Sequence, residues 1–276
     1  MAQAPQLPGA VDTSIPSAAR LYDYYLGGTL NYEVDRQAAE RLRKTVPELS
    51  DAAWANRSFH QRAARWLAGK HGIRQFIDLG SGLPTQGNTH QIVREVAPDA
   101  RVVYVDIDPI VEVEAARVLC AADEATAVIT ADMRDLEAVL GHPDLRALVD
   151  FEQPVGLLMT AVLHFVCDES DPWSLVGRYM DAVPGDSYLV LSHITADKLP
   201  PRSVQAFRDL YAHANEHMHL RPRHEVERFL DGLQIEPPYE GAPPAVTYTG
   251  QWGAEAPEVA DSEGSRWCYC AVARRP

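Results

Sequence analysis

The sequence predicts an α/β fold: a doubly wound, mostly parallel sheet with helices on both faces and a helical cap at the N-terminus. Two observations carry this expectation. Up to about residue 70 apolar residues recur three or four apart, and beyond it they gather into short runs of Val, Ile, Leu and Tyr. Those runs alternate with helical stretches, the order that produces a parallel sheet buried on both sides.

Residues 1–16 contain no basic region followed by an apolar core, so they read as a flexible leader and not as a signal peptide. SAARLYDYYL from Ser17, EVDRQAAERLRKTV from Glu33 and AAWANRSFHQRAARWLAGK from Ala52 are helical, punctuated by Gly27-Gly28, Pro47 and Gly69. The predicted strands are RQFIDLG, RVVYVDID, AVITAD, PVGLLMTAV and DSYLVLSHI, with helices near 87–97, 109–121, 134–149 and 172–182. PPRSVQAFRDLYAHANEHMH then reads as one long amphipathic helix, and RPRHEVERFLDGLQIEPP as a helix passing through Gly232 into a short strand. A Pro- and Gly-rich excursion over 237–264 precedes the closing strand RWCYCAVARR. There is no internal repeat. The expected organisation is one domain over 17–276, with the cap over 17–70 and the α/β core over 71–276.

A chain of 276 residues buries roughly three quarters of its unfolded surface and needs no covalent staples. No apolar run approaches the ~18 residues of a membrane span, so a cytoplasmic location is the default and a membrane partner is not expected. A net charge of −14 argues against a nucleic-acid backbone as partner. The charge is uneven: residues 1–70 carry nine Lys and Arg against seven Asp and Glu, or +2, which leaves −16 for the rest. That asymmetry suits an N-terminal layer packed on an acidic body. Cys120, Cys167, Cys268 and Cys270 form no C-x-x-C pair and are expected as buried, reduced thiols. Oligomeric state is not legible.

The chemistry concentrates in FIDLGSGLPTQGN, residues 76–88, a strand running through a glycine turn into a helix. In an open doubly wound sheet, ligands sit beyond the carboxyl ends of the strands, where strand order reverses. Gly80 and Gly82 let the backbone turn and approach a ligand closely. Asp106 ends the next strand, 24 residues after Gly82, where an acid can bind both hydroxyls of a ribose and repel a ribose phosphate. Asp108, ahead of Pro109, fits a helix N-cap. A dinucleotide fingerprint would place glycine at 85, where Thr85 stands, and a pyrophosphate needs backbone donors that Pro84 lacks. A nucleoside without phosphate tolerates both changes. S-adenosyl-L-methionine (SAM) is such a ligand, and Asp78 could attract the ammonium of its methionine tail.

FIDLGSG, VVYVDIDP, VITADM and VGLLMTAVLHF resemble the successive motifs of class I SAM-dependent methyltransferases, and HEVERFLDGLQIEPP resembles that fold's last helix and sixth strand. More narrowly, ARLYDYYLGGTLNYEVDR, WANRSFHQRAARWL and DLGSGLPTQGNTH resemble an actinobacterial group of SAM methyltransferases long catalogued as a domain of unknown function. The likeness spans roughly 17–274, and Pro84 departs from the wider superfamily's third glycine while agreeing with the narrower group. The resemblance implies a seven-stranded, Rossmann-like sheet and SAM as cofactor; it brings no substrate. Carried over by position, Gly80, Ser81 and Gly82 would line the methionine part and Asp106 the ribose, with Ile107 also among the cofactor-binding residues. Asp132 and Met133 would meet the adenine, with Thr160 and Ala161 flanking the site.

Methyl transfer from a sulfonium is an in-line displacement, and a general base is needed only for a protonated acceptor atom. His164 and His193, at the ends of the fourth and fifth strands, are the catalytic candidates; a histidine satisfied by backbone or water is the competing reading for each. In the cap, Tyr22 and Tyr25 could close over the sulfonium by cation–π attraction, with Gly27, Gly28, Asn31 and Arg57 as companions. The same tyrosines also fit a simple packing stripe with Leu21. His213, Glu216 and His217 match H-x-x-E-H, but no third ligand is evident and no metal is expected. The leading expectation is a SAM-dependent methyltransferase acting on a small molecule. A SAM- or S-adenosylhomocysteine-binding protein without turnover is the alternative, and an NAD-linked oxidoreductase a weaker one, since no Tyr-x-x-x-Lys dyad is present in the expected region.

Overall fold

A computed structural model of the chain describes residues 12–84, 87–119 and 123–276. Residues 1–11 of the expected leader, Thr85 and Cys120 lie outside the described residues. Three helices come first: α1 (Ala18–Tyr25), α2 (Glu33–Arg43) and α3 (Leu49–Lys70). The alternating part follows as β1 (Gln75–Leu79), α4 (Thr89–Arg94), β2 (Arg101–Asp106), α5 (Pro109–Val118) and β3 (Thr126–Thr130). It continues through α6 (Leu136–Leu140), α7 (Pro143–Leu148), β4 (Gly156–Thr160), α8 (Pro172–Asp181) and β5 (Tyr188–Ile194). The chain closes with α9 (Pro201–Tyr211), α10 (Arg223–Arg228), β6 (Gln234–Ile235), β7 (Thr247–Tyr248) and β8 (Cys268–Arg274).

Two helical expectations need correction. The helix expected over 134–149 is two, because Gly141 caps α6 and Pro143 opens α7, where a missing N–H costs nothing. The helix expected to run to residue 219 stops at Tyr211. Beyond it the backbone is claimed by other partners: Asn215 N donates to Pro16 O (3.0 Å) and His219 N to His164 O (2.7 Å). His213 and His217 therefore do not share a helix face.

The strand order is β3-β2-β1-β4-β5-β8-β6, seven strands on the path, with the short β7 added as an eighth beside β8. The first five are parallel to one another; β8 runs antiparallel to both β5 and β6. β1 is the pivot: its neighbours are β2 on one side and β4 on the other, so strand order reverses at its carboxyl end. All five β1 residues are buried. Ile77 and Leu79 face the core built with Val139, Leu145, Leu175 and Tyr179, whereas Phe76 faces α3 and α4 through Phe59, Ala63, Leu67 and Val93. Period-two alternation thus places Asp78 on the α3 and α4 side.

α1, α2 and the first turns of α3 form a third core with α9, through Leu21, Tyr25, Leu42, Phe207, Tyr211 and Trp267. α3 belongs to both halves: Leu49, Ala52 and Ala53 pack with the cap and Phe59 to Ala68 with the sheet. A buried ion pair holds the cap together, Arg20 Nε to Asp35 Oδ2 at 2.7 Å, and Asp35 also accepts from Ser17 N and Tyr32 N. Such a pair contributes through its extra hydrogen bonds, which offset the cost of desolvating both charges. Ser17 Oγ donates to Asp108 Oδ2 (2.9 Å), fastening the cap to the end of β2. No described helix is long and apolar enough to cross a membrane.

Candidate functional site

A cavity of about 190 Å³ opens at the reversal point, between the carboxyl ends of β1, β2, β3 and β4 and the underside of the cap. The glycine turn forms its floor. Gly80 and Gly82 adopt φ of +67° and +65°, a region L side chains seldom enter. Gly80 has a second reason to be glycine: a Cβ there would lie 2.1 Å from Val162 Cγ2. Asp106 Oδ2 accepts from Gly82 N (2.8 Å) and its Oδ1 from Asp108 N (2.9 Å), so the β2 carboxylate and the turn brace each other. Burial pushes the Asp106 carboxyl up to about 6 against these hydrogen bonds.

Of the residues assigned to the cofactor, Asp78, Gly80, Ser81, Gly82, Asp106, Ile107, Asp132, Met133, Thr160 and Ala161 all line this one cavity. Three carry findings the sequence did not offer. Asp78 is buried, accepting from Thr89 Oγ1 (2.6 Å), with His60 Nε2 at 3.8 Å. Asp132 is clasped by Arg134, whose Nε and Nη2 lie 2.8 and 2.7 Å from Oδ2. Ala161 sits at φ +55°, a conformation costing about 1 kcal/mol or more for a residue with a Cβ. Its N–H is held by Ser192 through both the backbone O (3.2 Å) and Oγ (2.9 Å).

The cap divides. Tyr22, Tyr25 and Arg57 reach the cavity; Gly27, Gly28 and Asn31 do not line it. The latter three build the turn after α1 instead. Gly27 takes φ +77°, Gly28 N donates to Asp23 O (2.8 Å), and Asn31 Nδ2 donates to Asp23 Oδ2 (2.7 Å). The two histidines divide as well. His164 lines the cavity, while His193 is enclosed, with Nδ1 against Ile194 O (2.7 Å) and Nε2 against Arg221 Nη1 (2.9 Å). Burial, followed by the Arg221 charge, lowers His193 to about 3. Both of its nitrogens are engaged, so it has no means of meeting an acceptor. Burial, His193 and Arg221 hold His164 well below the ordinary histidine range, so it is a neutral imidazole.

Sequence reasoning passed over Asn56 and His60, one turn apart on α3. His60 bridges Thr160 Oγ1 (2.9 Å) and Thr89 Oγ1 (2.8 Å), and burial lowers it to about 3. Asn56 donates from Nδ2 to Tyr22 Oη (2.8 Å) and accepts at Oδ1 from Ser192 Oγ (2.5 Å), linking the cap to β5. The signal was available: these polar residues at i and i+4 interrupt the apolar stripe of Ala52, Ala53, Phe59 and Ala63. Cys268 also lines the cavity, and burial pushes its thiol up to about 12, so it stays protonated. Cys270 is buried as expected; Cys167 is half-exposed.

The site suits a nucleoside better than a diphosphate. Asn88 N already donates to Gln91 Oε1 (3.0 Å) and His90 N to Tyr104 Oη (2.9 Å), so the start of α4 presents few donors to a phosphate. Ser81 Oγ, on the glycine turn, is buried and has no hydrogen-bond partner among the described residues. Together with the braced Asp106 carboxylate it leaves polar valences for a ligand with hydroxyls and an amino-acid tail.

Comparison with known proteins agrees. Residues 4–276 match the family described as S-adenosyl methyltransferase.

This chain belongs to that family.

Its cofactor is accordingly S-adenosyl-L-methionine. Two solved structures are similar over nearly their whole length. A Thermobifida fusca YX protein provisionally named a methyltransferase is 39% identical, with 97% of this chain and 98% of that one covered and a TM-score of 0.87. A DUF574-family protein from Streptomyces avermitilis is 38% identical, with 96% and 99% covered and a TM-score of 0.88. An O-methyltransferase family protein from Burkholderia thailandensis shares the fold alone, at 13% identity, 92% and 63% coverage and a TM-score of 0.53. No curated protein matches.

The cavity carries an acid whose protonation is coupled to folding. Burial raises Asp78 from 3.8 to about 6, so the folded chain holds this proton more tightly than the unfolded one. Its stabilising contribution is complete below the unfolded value and is lost as pH rises through about 6. Without cofactor, the stability advantage of wild type over Asp78→Asn is expected to shrink by about 2 kcal/mol from about pH 4 to about pH 7. Urea melts of both proteins across that window measure it; a constant difference would refute the assignment.

Proposed function

We propose that this chain transfers the methyl group of SAM to a small-molecule acceptor held under the cap. In this reading Gly80, Ser81 and Gly82 face the methionine part, Asp106 the ribose hydroxyls, and Met133 the adenine. Asp132 would receive the adenine amine once Arg134 turns aside. The observation that carries the reading is the convergence on one cavity of the glycine turn, the ends of β2, β3 and β4, and Tyr22 and Tyr25 of the cap. A donor already activated as a sulfonium needs its acceptor held in line, within ~3–3.5 Å of the methyl carbon, more than it needs a covalent intermediate. The walls of the cavity serve that requirement. His164 is the histidine left beside the cavity for an acceptor that must shed a proton, but burial and the Arg221 charge make it a weak base, so the reading rests on positioning more than on proton removal.

Two measurements test this. In thermal melts, SAM and S-adenosylhomocysteine should each raise the unfolding temperature and NAD should not. Radiolabelled methyl-SAM incubated with small-molecule extract should then yield a labelled product that requires the protein. Stabilisation by SAM with no product from any fraction would identify a binder without turnover, and stabilisation by NAD beyond that by SAM would overturn the cofactor assignment.

A further inference from the structure

The cavity has a second half, away from the glycine turn, and its walls are rings. α9 contributes Phe207 and Tyr211, stacked at 5.8 Å between centroids and 14° between planes. Trp267, from the turn before β8, lies 4.9 Å from Phe207, and Phe165, just beyond β4, lies 5.9 Å from Tyr211. All four line the cavity, as does Tyr25 from the cap. The titratable groups on this wall are neutral: burial raises Tyr25 and Tyr211, lowers His164 and holds Cys268 at about 12. An ionised occupant would shed its hydration here and find no counter-charge among these groups. A flat, uncharged one would gain ring contacts with offset or edge geometry.

One polar group of this wall is left unmatched. Tyr25 is 5% exposed, its Oη is buried, and that Oη has no hydrogen-bond partner among the described residues. A buried hydroxyl left unmatched costs free energy, and a ligand that satisfies it recovers that cost.

We infer that this half of the cavity binds a neutral aromatic molecule bearing a hydroxyl group, with its ring against Phe207 and Trp267 and its hydroxyl bonded to Tyr25 Oη. That this molecule is the methyl acceptor rests on the methyltransferase reading; that it binds does not.

The experiment uses the full chain saturated with S-adenosylhomocysteine and three probes of one size: 2-naphthol, naphthalene and 2-naphthoate. Quenching of tryptophan fluorescence reports binding. 2-Naphthol should bind about three- to tenfold more tightly than naphthalene, the worth of one buried hydrogen bond. 2-Naphthoate, ionised at neutral pH, should bind more weakly than either. In Tyr25→Phe, 2-naphthol should fall to the level of naphthalene while naphthalene is unchanged. Binding of 2-naphthoate as tightly as 2-naphthol, an undiminished naphthol preference in Tyr25→Phe, or no binding of either neutral probe would each overturn the inference. Should Tyr25→Phe fail to fold, the order of the three probes on wild type decides alone. Failure of wild type to bind S-adenosylhomocysteine would instead sink the methyltransferase reading, so the two failures are distinguishable.

Discussion

Asp106→Ala should weaken SAM binding by about 10²–10³-fold, because it removes the carboxylate that the proposed reading assigns to two ribose hydroxyls in a partly desolvated cavity. The variant should still fold, since bonds such as those from Gly82 N and Asp108 N are worth about 1 kcal/mol each. Adenosine alone should lose the same factor, because it keeps the ribose and lacks the methionine tail that the proposed reading sets against the turn. A loss confined to SAM would mean that Asp106 acts only by bracing Gly82. The wild-type carboxyl, raised to about 6, adds a pH signature. The ionised form is the better acceptor, so affinity should fall as pH drops through about 6, and Asp106→Asn should lack that dependence. Isothermal calorimetry measures each of these, and a change under threefold for Asp106→Ala would remove the ribose assignment.

Much of the fold and half of the site could be read from the sequence, and the division has physical causes. Strands of a parallel sheet are buried on both faces, so their Val- and Ile-rich runs stand out whatever their neighbours do. All five expected core strands appear, in the order that puts β1 at the pivot. The residues that gather at the cavity were legible for a related reason: Gly80, Asp106 and Asp132 sit at or just past strand ends, so their place in the fold follows from the strand pattern alone. What was missed depends on packing between segments distant in sequence. That Asn56 touches Ser192, and His60 touches Thr160 and Thr89, follows from how α3 crosses the sheet. Local periodicity contains no term for that crossing. His193 illustrates the converse. Its position at the end of β5 suggested exposure to the site, yet Arg221, 28 residues away, closes over it and Phe229 stacks on its ring. The cap's tyrosines answered two readings at once: Tyr25 is core by burial and cavity wall by position.

The two glycines of the turn should respond differently to the same change. Gly80→Ala adds a methyl 2.1 Å from Val162 Cγ2 and 2.6 Å from Val162 Cβ, at a backbone φ of +67°. The Cβ is rigidly attached to its backbone, so a rotamer change cannot relieve the clash and the chain after β4 must move. Overpacking of about 1–3 kcal/mol adds to about 1 kcal/mol of left-handed strain, for a total of about 2–4 kcal/mol. For a domain of this size that lowers the unfolding temperature by roughly 5–15 °C. Gly82→Ala carries the same φ strain, but nothing lies within 4 Å of its added methyl. It should lose only about 1 kcal/mol of stability, or roughly 2–4 °C, while the methyl stands beside the Asp106 brace and hinders close approach of the cofactor. A double mutant isolates the cause. Val162→Ala removes both γ-methyls and leaves only its Cβ, 2.6 Å from the added methyl, so part of the overlap is relieved and Gly80→Ala/Val162→Ala should be more stable than the sum of the single losses allows. Calorimetric melts of the four proteins measure the coupling. Equal losses for the two alanine variants, or strict additivity in the double mutant, would show that Val162 does not dictate glycine at position 80.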